Sequence, residues 1–158
     1  MSKFKKHFLI FWLLPSIWFF LSLFPAKNSF TYLCFLIFLL NIFYIAFSSP
    51  TFLPIAFWGA ILDVYKGNLL GIYLSGFLCL RWWGFKIKEK IIWLKISTQT
   101  IFVFIGMLFL KGWQYIWSLI FELNLQETFK EIIIFIFTTT LLAPIVFKVY
   151  DILFSDAS

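Results

Sequence analysis

Polar residues in this chain come in short groups, and the apolar runs between them are long. The runs cover 8–24, 30–47, 52–65, 69–83, 91–110 and 131–150. A hydrocarbon core of about 30 Å takes roughly 20 helical residues to cross, so the pattern predicts membrane-spanning helices. The groups between the runs have turn chemistry: Pro25, Lys27, Asn28 and Ser29; Ser48, Ser49, Pro50 and Thr51; Lys66, Gly67 and Asn68. Between 113 and 125, Trp113, Ile116, Trp117, Ile120 and Phe121 recur at spacings of three and four, which predicts an amphipathic helix lying in the membrane interface. Pro15 in the first run predicts a kink whose freed carbonyl a neighbouring helix re-satisfies, and Pro144 predicts a break in the last run. The expected fold class is all-α, a polytopic bundle of about six transmembrane helices forming a single membrane domain over 1–158.

Composition agrees with the pattern. With 63% hydrophobic and 13% charged residues and a mean hydropathy of +0.97, the chain has too few polar side chains to cover a water-facing surface, where roughly a quarter of residues are charged. The net charge of +6 does not point to nucleic acid, because the basic residues stand at the ends of apolar runs and form no groove. Their placement predicts topology instead. With both termini cytoplasmic, nine of the 13 basic residues fall inside, and Lys27, Lys66, Lys111 and Lys130 fall outside. The basic start followed by an apolar run has the form of a signal peptide, but Phe24 occupies a position where cleavage needs a small residue, so an uncleaved first helix is expected. Trp82 and Trp83 beside the basic loop suit the interfacial belt.

Candidate chemistry is sparse. His7 is the one histidine, and Cys34 and Cys79 lie in separate apolar runs, where they read as small buried hydrophobes. The sequence therefore nominates no catalytic residue, metal ligand or cofactor. Asn41 reads as an interhelical hydrogen-bonding amide, and Thr138, Thr139 and Thr140 as hydroxyls bonded back to their own helix. The exception is Asp63, an acid in an apolar run, one turn before the bend that holds Gly67, with Gly71 four residues further on. The flanking runs, 52–65 and 69–83, are short: 14 helical residues reach only about 21 Å. They predict either two short helices in a thinned bilayer or a re-entrant hairpin. Asp63 and Lys66, three apart on one helical face, are placed to pair, and the spacing of Gly67, Gly71 and Gly76 suits close helix packing.

The segment Phe-Trp-Gly-Ala-Ile-Leu-Asp-Val-Tyr-Lys-Gly-Asn-Leu-Leu-Gly-Ile-Tyr-Leu-Ser-Gly-Phe-Leu, from Phe57 to Leu78, resembles the signature hairpin of the rod shape-determining MreD family. In that family a Gly-x-x-x-Asp segment leads to a Gly-x-x-x-Gly turn and a second short helix. Gly59, Asp63, Gly67 and Gly71 stand at the matching positions, and the bulky Trp58 is a minor departure. Length, helix layout and basic flanks extend the resemblance to most of the chain. It implies a non-enzymatic, multi-pass component of the bacterial inner membrane that takes part in peptidoglycan elongation and regulation of cell shape. The implied partners are MreC, MreB filaments, RodA and its class B penicillin-binding transpeptidase, and the lipid bilayer. The family's fold is similar to the substrate-binding subunits of energy-coupling-factor transporters, which makes a vitamin-type uptake subunit the alternative. Such a subunit needs convergent polar groups in a cavity, for which Asn41, Gln99 and Thr100 are the scattered candidates.

Overall fold

The computed structural model describes residues 8–23, 29–48, 51–66, 71–88, 96–122 and 128–154. Among these there are six α-helices and no strand: α1 (Leu14–Ser22), α2 (Ser29–Ser48), α3 (Leu53–Lys66), α4 (Ile72–Lys88), α5 (Ile96–Ile120) and α6 (Phe129–Phe154). A π-helical segment, Leu9–Leu13, leads into α1. Three helices, α2, α5 and α6, are long and apolar enough to cross a membrane. The all-α class is as the apolar pattern indicates.

The centre of the bundle is α2. A helix that is apolar on every side has no solvent face and belongs inside. From Cys34 to Ala46 every residue but Ile37 is buried, and the helix packs against α1, α3, α4 and α6. The outer helices are the reverse. Only 22% of the apolar window of α6 is buried, against 61% for α2. Ile134, Phe137, Leu141, Ile145 and Ile152 point away from the bundle. An exterior of this kind suits hydrocarbon, where backbone polar groups must be satisfied internally.

Two helices run further than the sequence pattern predicts. The expected interfacial helix at 113–125 is, over its described part, the continuation of α5, which passes through Gly112 unbroken. The physical reason is the direction of its faces. Gln114 and Ser118 are buried against the bundle while Tyr115, Ile116, Leu119 and Ile120 are exposed, whereas an interfacial helix turns its polar side to water. Likewise α6 continues through Pro144. In the turns before that proline, the Thr138, Thr139 and Thr140 hydroxyls donate to the carbonyls of Ile134, Phe135 and Ile136, as expected for threonines in an apolar helix. Cys34 is buried, but Cys79 lies on the exposed side of α4 rather than in the core.

Pro15 has no N–H to offer the Phe11 carbonyl four residues earlier. That carbonyl accepts a hydrogen bond from the Trp58 indole on α3 at 2.9 Å, and the Ser16 hydroxyl serves the next one, on Trp12. Trp58 is 2% exposed and wedged among Phe19, Phe38 and Phe57. Its bulk, a departure from the resembled pattern, therefore has a local use: it joins α3 to the entry of α1. Trp58→Phe is expected to lower unfolding stability in detergent by about 1 kcal/mol. The loss should be clearly smaller in a Pro15→Ala background, where the backbone regains the missing N–H; equal losses in both backgrounds, read by a double-mutant cycle, rule the coupling out.

Candidate functional site

The apolar α3–α4 hairpin places a carboxylate at the N-terminus of a helix to which it does not belong. Asp63, in the last turns of α3, has no exposure at all. Its Oδ1 accepts the Tyr73 N–H at 2.7 Å, and its Oδ2 accepts the N–H groups of Gly71 at 2.9 Å and Leu74 at 3.1 Å. These donors belong to the start of α4, where the first N–H groups have no intrahelical acceptor. The positive end of the α4 dipole adds to the attraction for an anion. One side chain thus caps α4 from the neighbouring helix and satisfies its own buried charge in doing so.

Two glycines make the reach possible, for different reasons. A Cβ on Gly59 would stand 2.8 Å from Leu74 Cα and 3.2 Å from Leu74 N, so the absence of a side chain lets the α4 backbone lie directly against α3. Gly71 has φ of +122°, and a Cβ there would meet nothing within 4 Å. Its role is conformational, a turn that L side chains resist, and not the helix packing its spacing suggests. Packing is instead the role of Gly76, where a Cβ would meet Leu110 Cδ2 on α5 at 2.8 Å. Gly67, the fourth motif position, lies outside the described residues. Gly59, Asp63 and Gly71 form one device.

The expected Asp63–Lys66 pair gives way to this arrangement. With its oxygens turned to the α4 backbone, Asp63 leaves Lys66 to place its Nζ over the Phe35 ring, 4.8 Å from the centroid. Such cation–π contacts are favourable where water is thin. The hairpin is also tied to α5: Trp113 Nε1 donates to Ser75 Oγ at 3.0 Å, and the Ser75 hydroxyl donates to the Gly71 carbonyl. Nothing in the spacing of Ser75 and Trp113 signals this link, because it crosses 38 residues.

A second polar group lies at the opposite end of the bundle. Asn41, expected as interhelical glue, donates to the Ile37 carbonyl of its own helix at 3.0 Å and hydrogen-bonds Tyr150 of α6, as does Trp18. Tyr44 and Gln99 both donate to Asp151. Thr128 and Glu131 form a capping box at the start of α6, legible as Thr-x-x-Glu before an apolar run. Among the described residues no group of three His, Cys, Asp or Glu side chains is placed to hold a metal. A groove of about 510 Å³ runs along the outside of α1, between Phe8 and Leu21. Its one hydroxyl, Ser16, is bonded to Trp12.

No protein-family model, curated protein or solved structure matches the chain.

The device predicts a graded series. Asp63→Ala removes the acceptor for three N–H groups, one in a buried and two in part-buried hydrogen bonds, and is expected to cost about 3 kcal/mol. Asp63→Asn retains one carbonyl and is expected to cost less. Gly71→Ala, strained by φ alone, is expected to cost about 1–2 kcal/mol, while Gly59→Leu, which meets backbone, separates the two helices. Thermal unfolding of the purified variants checks the order; an Asp63→Ala variant as stable as wild type contradicts the cap.

Proposed function

We propose that the chain is a non-enzymatic membrane scaffold of the bacterial cell-wall elongation complex, a member in kind of the MreD family, acting in the inner membrane as a multi-pass protein with both termini cytoplasmic. In this reading it binds MreC directly, stands beside RodA and the class B penicillin-binding transpeptidase, and reaches MreB filaments indirectly. The six-helix layout corresponds to that role, with the shorter α1, α3 and α4 spanning alongside α2, α5 and α6.

The observation that carries the reading is the use made of Asp63. An intramembrane acid is by default a candidate for proton or ion handling, but this carboxylate is enclosed and engaged by three backbone donors. An acid used in this way sets shape. The residues that define the family resemblance, Gly59, Asp63 and Gly71, are therefore the residues that fix the angle and closeness of two adjacent helices, which suits a protein whose work is to present helix faces to other membrane proteins. Among the described residues, the groove along α1 is lined by apolar side chains apart from Ser16 and the Trp12 indole, a poor match to the convergent polar groups a vitamin-type ligand needs.

Crosslinking and pull-down from native membranes tests this directly: MreC is expected among the recovered proteins. At matched protein levels, Asp63→Ala and Gly71→Leu are expected to reduce MreC recovery several-fold and to round rod-shaped cells. Normal recovery and normal shape in both variants overturn the proposal.

A further inference from the structure

At the end of the bundle away from the hairpin, α2, α5 and α6 bring three oxygen-bearing side chains together. Asp151, half-buried in the last turns of α6, accepts the Tyr44 hydroxyl on Oδ1 at 3.2 Å and the Gln99 amide on Oδ2 at 3.2 Å. Gln99 is fully buried, and its Oε1 accepts no hydrogen bond. We propose that Gln99, Asp151 and Tyr44 form a binding site for a hard monovalent cation, an alkali-metal ion held by the Gln99 carbonyl oxygen, the Asp151 carboxylate and the Tyr44 oxygen.

The electrostatics of the helix end point to a cation. A carboxylate near the C-terminal end of a helix lies at the negative pole of that helix's dipole, where cations are favoured and anions are not. Asp151 is there with two neutral donors, and both contacts are long; an O–H to carboxylate hydrogen bond is ordinarily about 2.5–2.7 Å. Beside it a buried carbonyl oxygen is without a donor, in a class of atoms that is nearly always partnered. Turning the Gln99 amide over does not remove the difficulty, because the carbonyl would then face the Asp151 carboxylate oxygen Oδ2. A cation between Gln99 Oε1 and the carboxylate answers all three features at once. Its class follows from the donors. Oxygen donors select a hard ion, and a single carboxylate with two neutral oxygens has too little charge for the all-protein calcium sites, which gather several carboxylates and carbonyls.

The site does not rest on the scaffold reading. Thermal unfolding of the purified full chain, followed by tryptophan fluorescence, is compared in sodium, potassium and choline chloride at equal ionic strength and fixed pH. One of the alkali ions is expected to raise Tm over choline saturably, by about 5 °C at 100 times its dissociation constant. Gln99→Leu and Asp151→Asn are expected to abolish the shift, and Tyr44→Phe to weaken it. Equal Tm in the three salts overturns the site, as does a shift that survives in the variants. A response to pH without any response to the cation also overturns it, assigning the buried carbonyl to a protonated Asp151. Should Gln99→Leu and Asp151→Asn fail to fold, sodium-23 line broadening by the wild-type chain, reversed by potassium, supports the site, and its absence counts against it.

Discussion

The hydrogen bonds from Gly71, Tyr73 and Leu74 to the Asp63 carboxylate are the interaction on which the hairpin depends. A helix that begins among apolar side chains cannot leave its first N–H groups to water, and each one left unpaired there costs several kcal/mol. Conversely, a buried carboxylate is tolerable only when its oxygens are engaged. The two penalties cancel because they meet at one place. That meeting has geometric conditions: α4 must lie against α3 closely enough for Leu74 to pass over Gly59, and the chain must turn through φ of +122° at Gly71. A side chain at Gly59 would push against the α4 backbone, and one at Gly71 would strain the turn.

The same requirement recurs wherever the bundle departs from regular helix. Pro15 frees the Phe11 carbonyl, and Trp58 of α3 supplies the missing donor. The start of α6 is closed by the Thr128–Glu131 capping box. Three threonines bond back to carbonyls ahead of Pro144. Each repair either stays within a helix or links it to a neighbour, and those that link, Asp63 to α4, Trp58 to the entry of α1 and Trp113 to Ser75, fix helices relative to one another. Around α2, which is apolar apart from Asn41 and Tyr44 over its buried stretch, this small set of polar contacts sets the orientation of an otherwise greasy assembly.

Much of this is legible in the residues. The run 30–47 corresponds to Ser29–Ser48 and 52–65 to Leu53–Lys66, because a long apolar run bounded by turn residues has few other readings. The interfacial reading of 113–125 fails for a physical reason: spacings of three and four occur both in a helix that lies on a membrane and in one that continues through it, and only the inward direction of Gln114 and Ser118 separates the two. Asp63 stands out as an acid in an apolar run, but its partner does not. Spacing along one helix offers Lys66, whereas the actual donors come from the backbone of the next helix, and backbone groups carry no sequence signal. The cluster of Tyr44, Gln99 and Asp151 is hidden by distance along the chain, Tyr44 and Asp151 being 107 positions apart.

The two acids enclosed, wholly or in part, among the described residues show how helix polarity decides what a carboxylate does. Asp63 faces the beginning of a helix and accepts three N–H groups, two of them closer than 3.0 Å. Asp151 stands at the end of a helix and has two neutral donors at 3.2 Å, beside an amide oxygen with none. In the first case the protein's own backbone completes the site, so no further ligand is needed and the acid is architectural. In the second the backbone contributes the wrong pole, and the remaining requirement is for positive charge. Sequence sets Asp63 inside an apolar run and Asp151 just past the end of one, and gives them the same chemistry; the end of the helix dipole each one faces is what separates structure from binding.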